Sequence, residues 1–251
     1  MIRRRLKIVL SYDGTKFYGW QIQSKGRTVQ GVLEEALTKM HKYPVRVSAA
    51  GRTDSGVHAN AQVCHFDTDL NIPENKYKNA INSFLPEDIS IIDSIFVDDN
   101  FHARYSAKRR VYKYYFTNSM GYTVFNRNYC TKFRNLADLK ILNECAASLE
   151  GIHDFTTFTC AGDQSGSRVR EIYSAVIYPE GDLFVFKIEG NGFLWKMVRS
   201  IIGSIIHYAS SDSGSAGFVE ALNRKKRELA GTTAPAKGLF FHRVYYLEEK
   251  E

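Results

Sequence analysis

The chain has 251 residues, 44% of them hydrophobic, and a net charge of +7. That length suits one large domain or two small ones, each with a buried core. No apolar run is long enough to span a bilayer. The four cysteines form neither a CxxC pair nor a disulfide scaffold, and the seven histidines show no metal-ligand spacing. These features predict a cytoplasmic protein with reduced thiols and no metal.

Leu6 to Tyr12 alternates and predicts an opening strand, followed by a glycine-bearing loop from Asp13 to Arg27. Thr28 caps a helix whose stripe is Val29, Val32, Leu33, Ala36, Leu37 and Met40. Val45 to Ala50 and Ala61 to Asp67 read as strands. Pro73 opens a second helix through Ala80, Ile81 and Phe84, and Ile89 to Val97 closes the first half.

The second half repeats this order. Arg110 to Thr117 is a strand. Asp138 to Leu149 is a helix with Leu139, Leu142, Ala146 and Leu149 on one stripe. Arg170 to Tyr178 and Leu183 to Glu189 are strands joined by a Pro-Glu-Gly-Asp turn. Leu194 to Tyr208 is the longest helix, a short one follows near Ala216 to Arg227, and His242 to Leu247 is the last strand. The expected fold is α+β: two ferredoxin-like (split βαβ) halves, 1–103 and 104–251. Their strands would join into an extended, mainly antiparallel sheet with helices on one face and a central cleft.

Three stretches carry candidate chemistry. GRTDSGVHA, from Gly51 to Ala59, sets Asp54 between two glycines in a turn after a strand. Alone, such an Asp is most often an Asx turn or a helix cap. Held on a stiff bend, it can also present a carboxylate to a substrate. From Phe101 to Ala137 there is no acidic residue, while Arg104, Lys108, Arg109, Arg110 and Lys113 interleave with Tyr105, Tyr112, Tyr114, Tyr115 and Phe116. Cations and rings in this mixture suit RNA, although Val111 to Tyr114 also alternates as a strand with a solvated basic face would. On the long helix, Leu194, Met197, Val198, Ile201, Ile202, Ile205 and Ile206 form an apolar arc. Lys196, Ser200, Gly203 and His207 lie opposite, and Arg199 sits at the margin. Arg199 either snorkels to water or meets an anion.

Six blocks in order make the chain resemble the tRNA pseudouridine synthase A (TruA) family. They are YDGTKFYGWQIQ at Tyr12, TVQGVLEEAL at Thr28, AGRTDSGVHA at Ala50, FHARYSAKRRVYKYY at Phe101, NGFLWKMVRSIIG at Asn191 and APAKGLFFHRVYY at Ala234. Ser55 departs from the family's commoner alanine, but it is small and fits the turn. The resemblance implies two ferredoxin-like halves and isomerisation of uridine to pseudouridine at positions 38, 39 and 40 of the tRNA anticodon stem-loop, without a cofactor. By position, Asp54 matches the catalytic aspartate and Arg199 the arginine that pairs with it. Tyr112 matches the tyrosine that contacts the target base. Arg52 matches the residue that enters the space of the displaced nucleotide, and Leu239 an apolar pocket residue. The resemblance further implies a homodimer in which one tRNA contacts both subunits. The residues leave open whether Asp54 adds at C6, attacks C1′ or removes the 2′ proton. Two other readings keep the scaffold: a non-catalytic tRNA-binding chaperone, and a pseudouridine synthase with another uridine target.

Overall fold

The computed structural model describes residues 3–118 and 120–246. In chain order the elements begin with β1 (Arg4–Tyr12), α1 (Val29–His41), β2 (Ser48–Ala49), β3 (His58–Thr68), α2 (Glu74–Asn82) and β4 (Ile89–Val97). They continue with β5 (Arg109–Thr117), β6 (Thr131–Lys132), α3 (Leu139–Ala147), β7 (Gly151–Asp154), β8 (Val169–Glu180) and β9 (Leu183–Gly190). The last are α4 (Met197–Ala209), α5 (Gly214–Arg224) and β10 (Leu239–Tyr245). The chain divides into two compact units. One takes the residues up to Lys108 and again from Phe240, and the other is Arg109–Leu239. Both mix helices with a mainly antiparallel sheet, so the α+β class is observed.

In the first unit β1 is central, antiparallel to β3 on one side and to β4 on the other. Its alternation places Leu6, Ile8, Leu10 and Tyr12 on one buried face, opposite Phe66 and Cys64 of β3 and Ile91 of β4. Val29, Leu33 and Leu37 of α1 and Tyr77 and Ile81 of α2 complete this core. The Thr28 hydroxyl accepts from Gly31 N and starts α1; Lys42, at φ 64°, ends it. α2 stops at Asn82, short of the expected stripe, and Phe84 is exposed. The reason is the Asn82 amide, which exchanges two hydrogen bonds with the Ile91 backbone and fixes the helix end on β4. The expected strand Val45 to Ala50 shrinks to β2, where Ser48 and Ala49 stand opposite His65 and Cys64 of β3 and Ala50 N donates to Val63 O at 2.8 Å. β10 adds to β3 in parallel, through Phe240 beside His58 and Phe241 beside Ala59. It begins three residues before the expected His242, and Leu247 lies outside the described residues.

In the second unit the antiparallel order is β5, β9, β8, β7, with β6 added parallel to β5. Tyr112, Tyr114 and Phe116 stand opposite Ile188, Phe186 and Phe184, and all but Phe184 are buried. Asp138 caps α3, whose Leu142, Cys145 and Ala146 are buried. α4 starts at Met197 rather than Leu194, because Lys196 is left-handed at φ 59°. Of its expected polar face only His207 is exposed and Lys196 half-buried. Ser200 and Ser204 are almost fully buried, and a Cβ on Gly203 would lie 2.0 Å from the Thr232 carbonyl oxygen. The segment 226–234 lies across this face. Arg227 donates to the Ser200 hydroxyl at 2.6 Å, and Gly231 N donates to the Ser204 hydroxyl at 2.9 Å. No helix among the described residues is long and apolar enough to cross a membrane.

Candidate active site

Asp54 sits half-buried in a turn that is held from several sides by the loop after β1. Trp20 N donates to the Thr53 carbonyl at 3.0 Å, and Gly56 N donates to the Phe17 carbonyl at 3.2 Å. The Ser55 hydroxyl also donates to Phe17 O, at 3.2 Å. Within the turn, Val57 N donates to Asp54 O at 3.1 Å, and Gly56 takes φ +77°, a conformation that favours glycine. From below, the Tyr12 hydroxyl meets the Thr53 hydroxyl at 2.8 Å. Burial drives the Tyr12 phenol pKa upward against the hydrogen bonds from Thr53 and Gln62 that lower it, so this group stays neutral. Gln62 donates to Gly51 O at 2.8 Å.

Glycines let the two segments approach this closely. A Cβ on Gly14 would stand 2.1 Å from the Val57 carbonyl oxygen, and one on Gly19 would stand 2.6 Å from that of Thr53. Gly19 also has φ +90°. His58, 1% exposed, accepts from Gly14 N through Nδ1 at 3.0 Å and stacks on Phe240 with centroids 4.6 Å apart. The Phe241 ring packs against Gly51. The backbone of the turn is therefore pre-set by contacts with the loop after β1 and by the Tyr12, Gln62 and His58 side chains. Arg52, two residues earlier, is exposed.

The second unit holds the other three expected site residues. Tyr112 is buried at the start of β5, edge-on to Phe193 at 5.0 Å. Arg199 lies in the first turn of α4 and is half-buried. Its Nε donates to Ala234 O at 2.8 Å, and its own carbonyl accepts from Ala234 N at 3.0 Å. The Tyr114 hydroxyl donates to Pro235 O at 2.9 Å and meets the Thr131 hydroxyl at 2.7 Å. Burial raises the Tyr114 pKa, the Thr131 hydrogen bond and the Arg199 charge oppose the rise, and the phenol stays protonated. Gly238 passes so close to β5 that a Cβ would stand 2.7 Å from Tyr115 O. That approach sets Leu239, 5% exposed, at the start of the last strand. Arg199, Tyr114 and the 234–239 segment thus form one connected group.

Residues 8–106 and 145–247 match the family described as tRNA pseudouridine synthase. The chain belongs to that family. It is an isomerase that acts on tRNA. Among its relatives, the tRNA pseudouridine synthase A of Geobacillus sp. (strain WCH70) is 45% identical over 97% of this chain and 98% of its own length. That of Geobacillus kaustophilus is 43% identical over 98% and 96%, and that of Borrelia hermsii 43% over 97% and 99%.

A tRNA pseudouridine synthase must meet a polyanion, and the basic stretch sorts into two populations. Tyr114 and Phe116 are fully buried and build the core, while Tyr112 keeps 7% of its surface exposed. Tyr105 is 75% exposed, beside exposed Arg104 and Lys108. Arg109 is instead tied to Glu189 at 3.2 Å and Lys113 to Glu180 at 3.4 Å. Sequence reasoning assigned no role to Gly14, Phe17, Gly19, Trp20 or His58, although they hold the Asp54 turn. The available signal was two glycines among aromatic residues in one loop. Among the described residues no three His, Cys, Asp or Glu side chains group as metal ligands.

Proposed function

We propose that the chain converts uridine to pseudouridine at positions 38, 39 and 40 of the tRNA anticodon stem-loop. Asp54 acts as nucleophile and Arg199 as the second catalytic residue, while Tyr112, Arg52 and Leu239 bind the substrate. The N1–C1′ bond breaks, the uracil turns, and a C5–C1′ bond forms. The proton lost from C5 is balanced by one gained at N1, so the nucleotide leaves with the atoms it brought. The target must first leave its stack, at a cost of a few kcal/mol. A nucleophile carried on a backbone already held in place then avoids much of the cost of being ordered at the moment of reaction.

The observation that supports this reading best is the clamped turn. Thr53, Ser55 and Gly56, all around Asp54, are tied to the loop after β1. A carboxylate that only capped a helix would not require such a cradle. Asp54→Asn is expected to abolish conversion while leaving tRNA affinity within severalfold; residual turnover near wild type would remove Asp54 as nucleophile. Pseudouridine mapping in tRNA from a strain lacking the gene should show uridine at positions 38, 39 and 40, and loss at other positions would reassign the target. The same reading takes the enzyme as a cytoplasmic homodimer engaging one tRNA through both subunits. Sedimentation should give twice the chain mass.

A further inference from the structure

We infer that Trp195 is a stacking platform for an unpaired tRNA base, with Lys196 taking the adjacent phosphate. This rests on the tRNA reading above and names a contact that the reaction scheme does not use. The chain has two tryptophans. Trp20 is 2% exposed, whereas Trp195 is 45% exposed. Leaving that much indole in water forfeits burial that the fold gains from its other large rings.

The backbone of this residue is nevertheless held. Trp195 N donates to Asp163 Oδ2 at 2.8 Å, and Trp195 O accepts from Cys160 N at 3.2 Å. Gly162 lies against the indole, where a Cβ would come within 2.9 Å of Cζ3. Partial burial pushes the Asp163 carboxyl up, but hydrogen bonds from Trp195 and Ser165 outweigh it and hold the group ionised. Arg170 fastens the same loop by donating to Ser167 O at 2.9 Å. A ring on a held backbone, with Gly162 lying against it, has less freedom left to lose when a base stacks on it.

Lys196 adds a second observation. Three non-glycine residues among those described have positive φ: Lys42, Lys196 and Lys225. Lys42 and Lys225 close helices, where this conformation is ordinary. Lys196 instead precedes a helix, and its ammonium lies 5.1 Å from the Trp195 ring centroid. The local charge fits RNA. No acidic residue occurs from Asn191 to Arg199, and Asp163 is the only one from Phe155 to Arg170. An aromatic face beside a cation is how sequence-tolerant contacts to unpaired nucleotides are made.

The test uses the full-length protein and an unmodified tRNA transcript. Acrylamide quenching of tryptophan emission is measured with and without saturating tRNA, alongside pseudouridine formation. Protection of the accessible emission by tRNA is expected, and Trp195→Phe should lose it. Trp195→Ala should raise KM for tRNA about 5- to 150-fold, the range for one base–aromatic stack, with kcat within about twofold. Trp195→Phe, which keeps a ring, should recover most of the loss. Lys196→Ala should reduce the salt slope of binding by about one. If the wild type forms pseudouridine yet tRNA leaves its quenching unchanged, or if folded Trp195→Ala keeps its KM, the platform is refuted and tRNA recognition stands. If the wild type modifies no tRNA, the underlying reading fails and the platform with it. Should Trp195→Ala not fold, the wild-type quenching decides alone.

Discussion

Gly19→Ala tests whether the loop after β1 positions Asp54. The new Cβ would stand 2.6 Å from Thr53 O and 3.0 Å from the Asp54 carbonyl carbon, at a residue with φ +90°. Adopting that φ with a side chain costs about 1–3 kcal/mol. Relieving the contact moves the turn by roughly 0.5–1 Å. That shift weakens the Trp20 N to Thr53 O hydrogen bond, which contributes about 0.5–1.5 kcal/mol. A total near 2–4 kcal/mol should lower Tm by about 5–15 °C for a chain of this size. A misplacement of about 1 Å at a reacting group can cost about 100-fold in rate. The expected result is a 10- to 100-fold fall in kcat with KM for tRNA within threefold, read by pseudouridine formation at a temperature where the variant is folded. Gly181→Ala is the control, since Gly181 has φ +60° and a Cβ there would meet nothing within 4 Å. It should lose stability through backbone strain alone and keep its kcat. If Gly19→Ala also keeps wild-type kcat, the loop is structural and does not place the carboxylate.

Arg199→Ala should lower activity and also reduce Tm by several degrees, because the charge-assisted bond to Ala234 O contributes about 1.5–3 kcal/mol; an unchanged Tm would show that this bond contributes nothing. His65 should make stability pH-dependent. Burial, then the charges of Arg5 and His102, lower its pKa from 6.5 to about 4. The unfolded chain therefore binds the proton first, so stability is complete above about pH 6.5 and is lost as pH falls toward 4. Tm measured from pH 7 to 4.5 should decline less in His65→Gln, and an identical slope would refute the assignment. Affinity for tRNA should fall at least tenfold between 50 and 200 mM salt. Replacing exposed Arg104 and Lys108 by alanine should flatten that dependence, and a flat response in the wild type would remove this stretch from the RNA surface.

The sequence made legible whatever rests on local pattern. β4 matches the expected Ile89 to Val97 to the residue, and α1 begins after the Thr28 cap as its hydroxyl predicts. β6 and β7 had no comparable signal. Thr131–Lys132 and Gly151–Asp154 do not alternate hydrophobic and polar residues, and they become strands only because β5 and β8 offer partners. The burial of Ser200, Gly203 and Ser204 was illegible for a related reason. Small polar residues read as a solvent face, whereas here their size admits the 226–234 segment. Asp54 was legible as a carboxylate in a glycine-flanked turn. Its cradle was not, because the ties join residues some thirty to forty-five positions apart and nearly all use a backbone atom on at least one side, which side-chain identity does not report.

The parallel pairing of Phe240 and Phe241 with His58 and Ala59 bears on how the protein is made. A ribosome releases β1, β3 and β4 long before it has read the codons for β10. The strand beside the Asp54 bend must wait for its neighbour until all of Arg109–Leu239 has emerged. A nascent chain thus completes the sheet edge beside the Asp54 bend only after the whole second unit has been made, and a message truncated before Phe240 would yield β1, β3 and β4 without that neighbour.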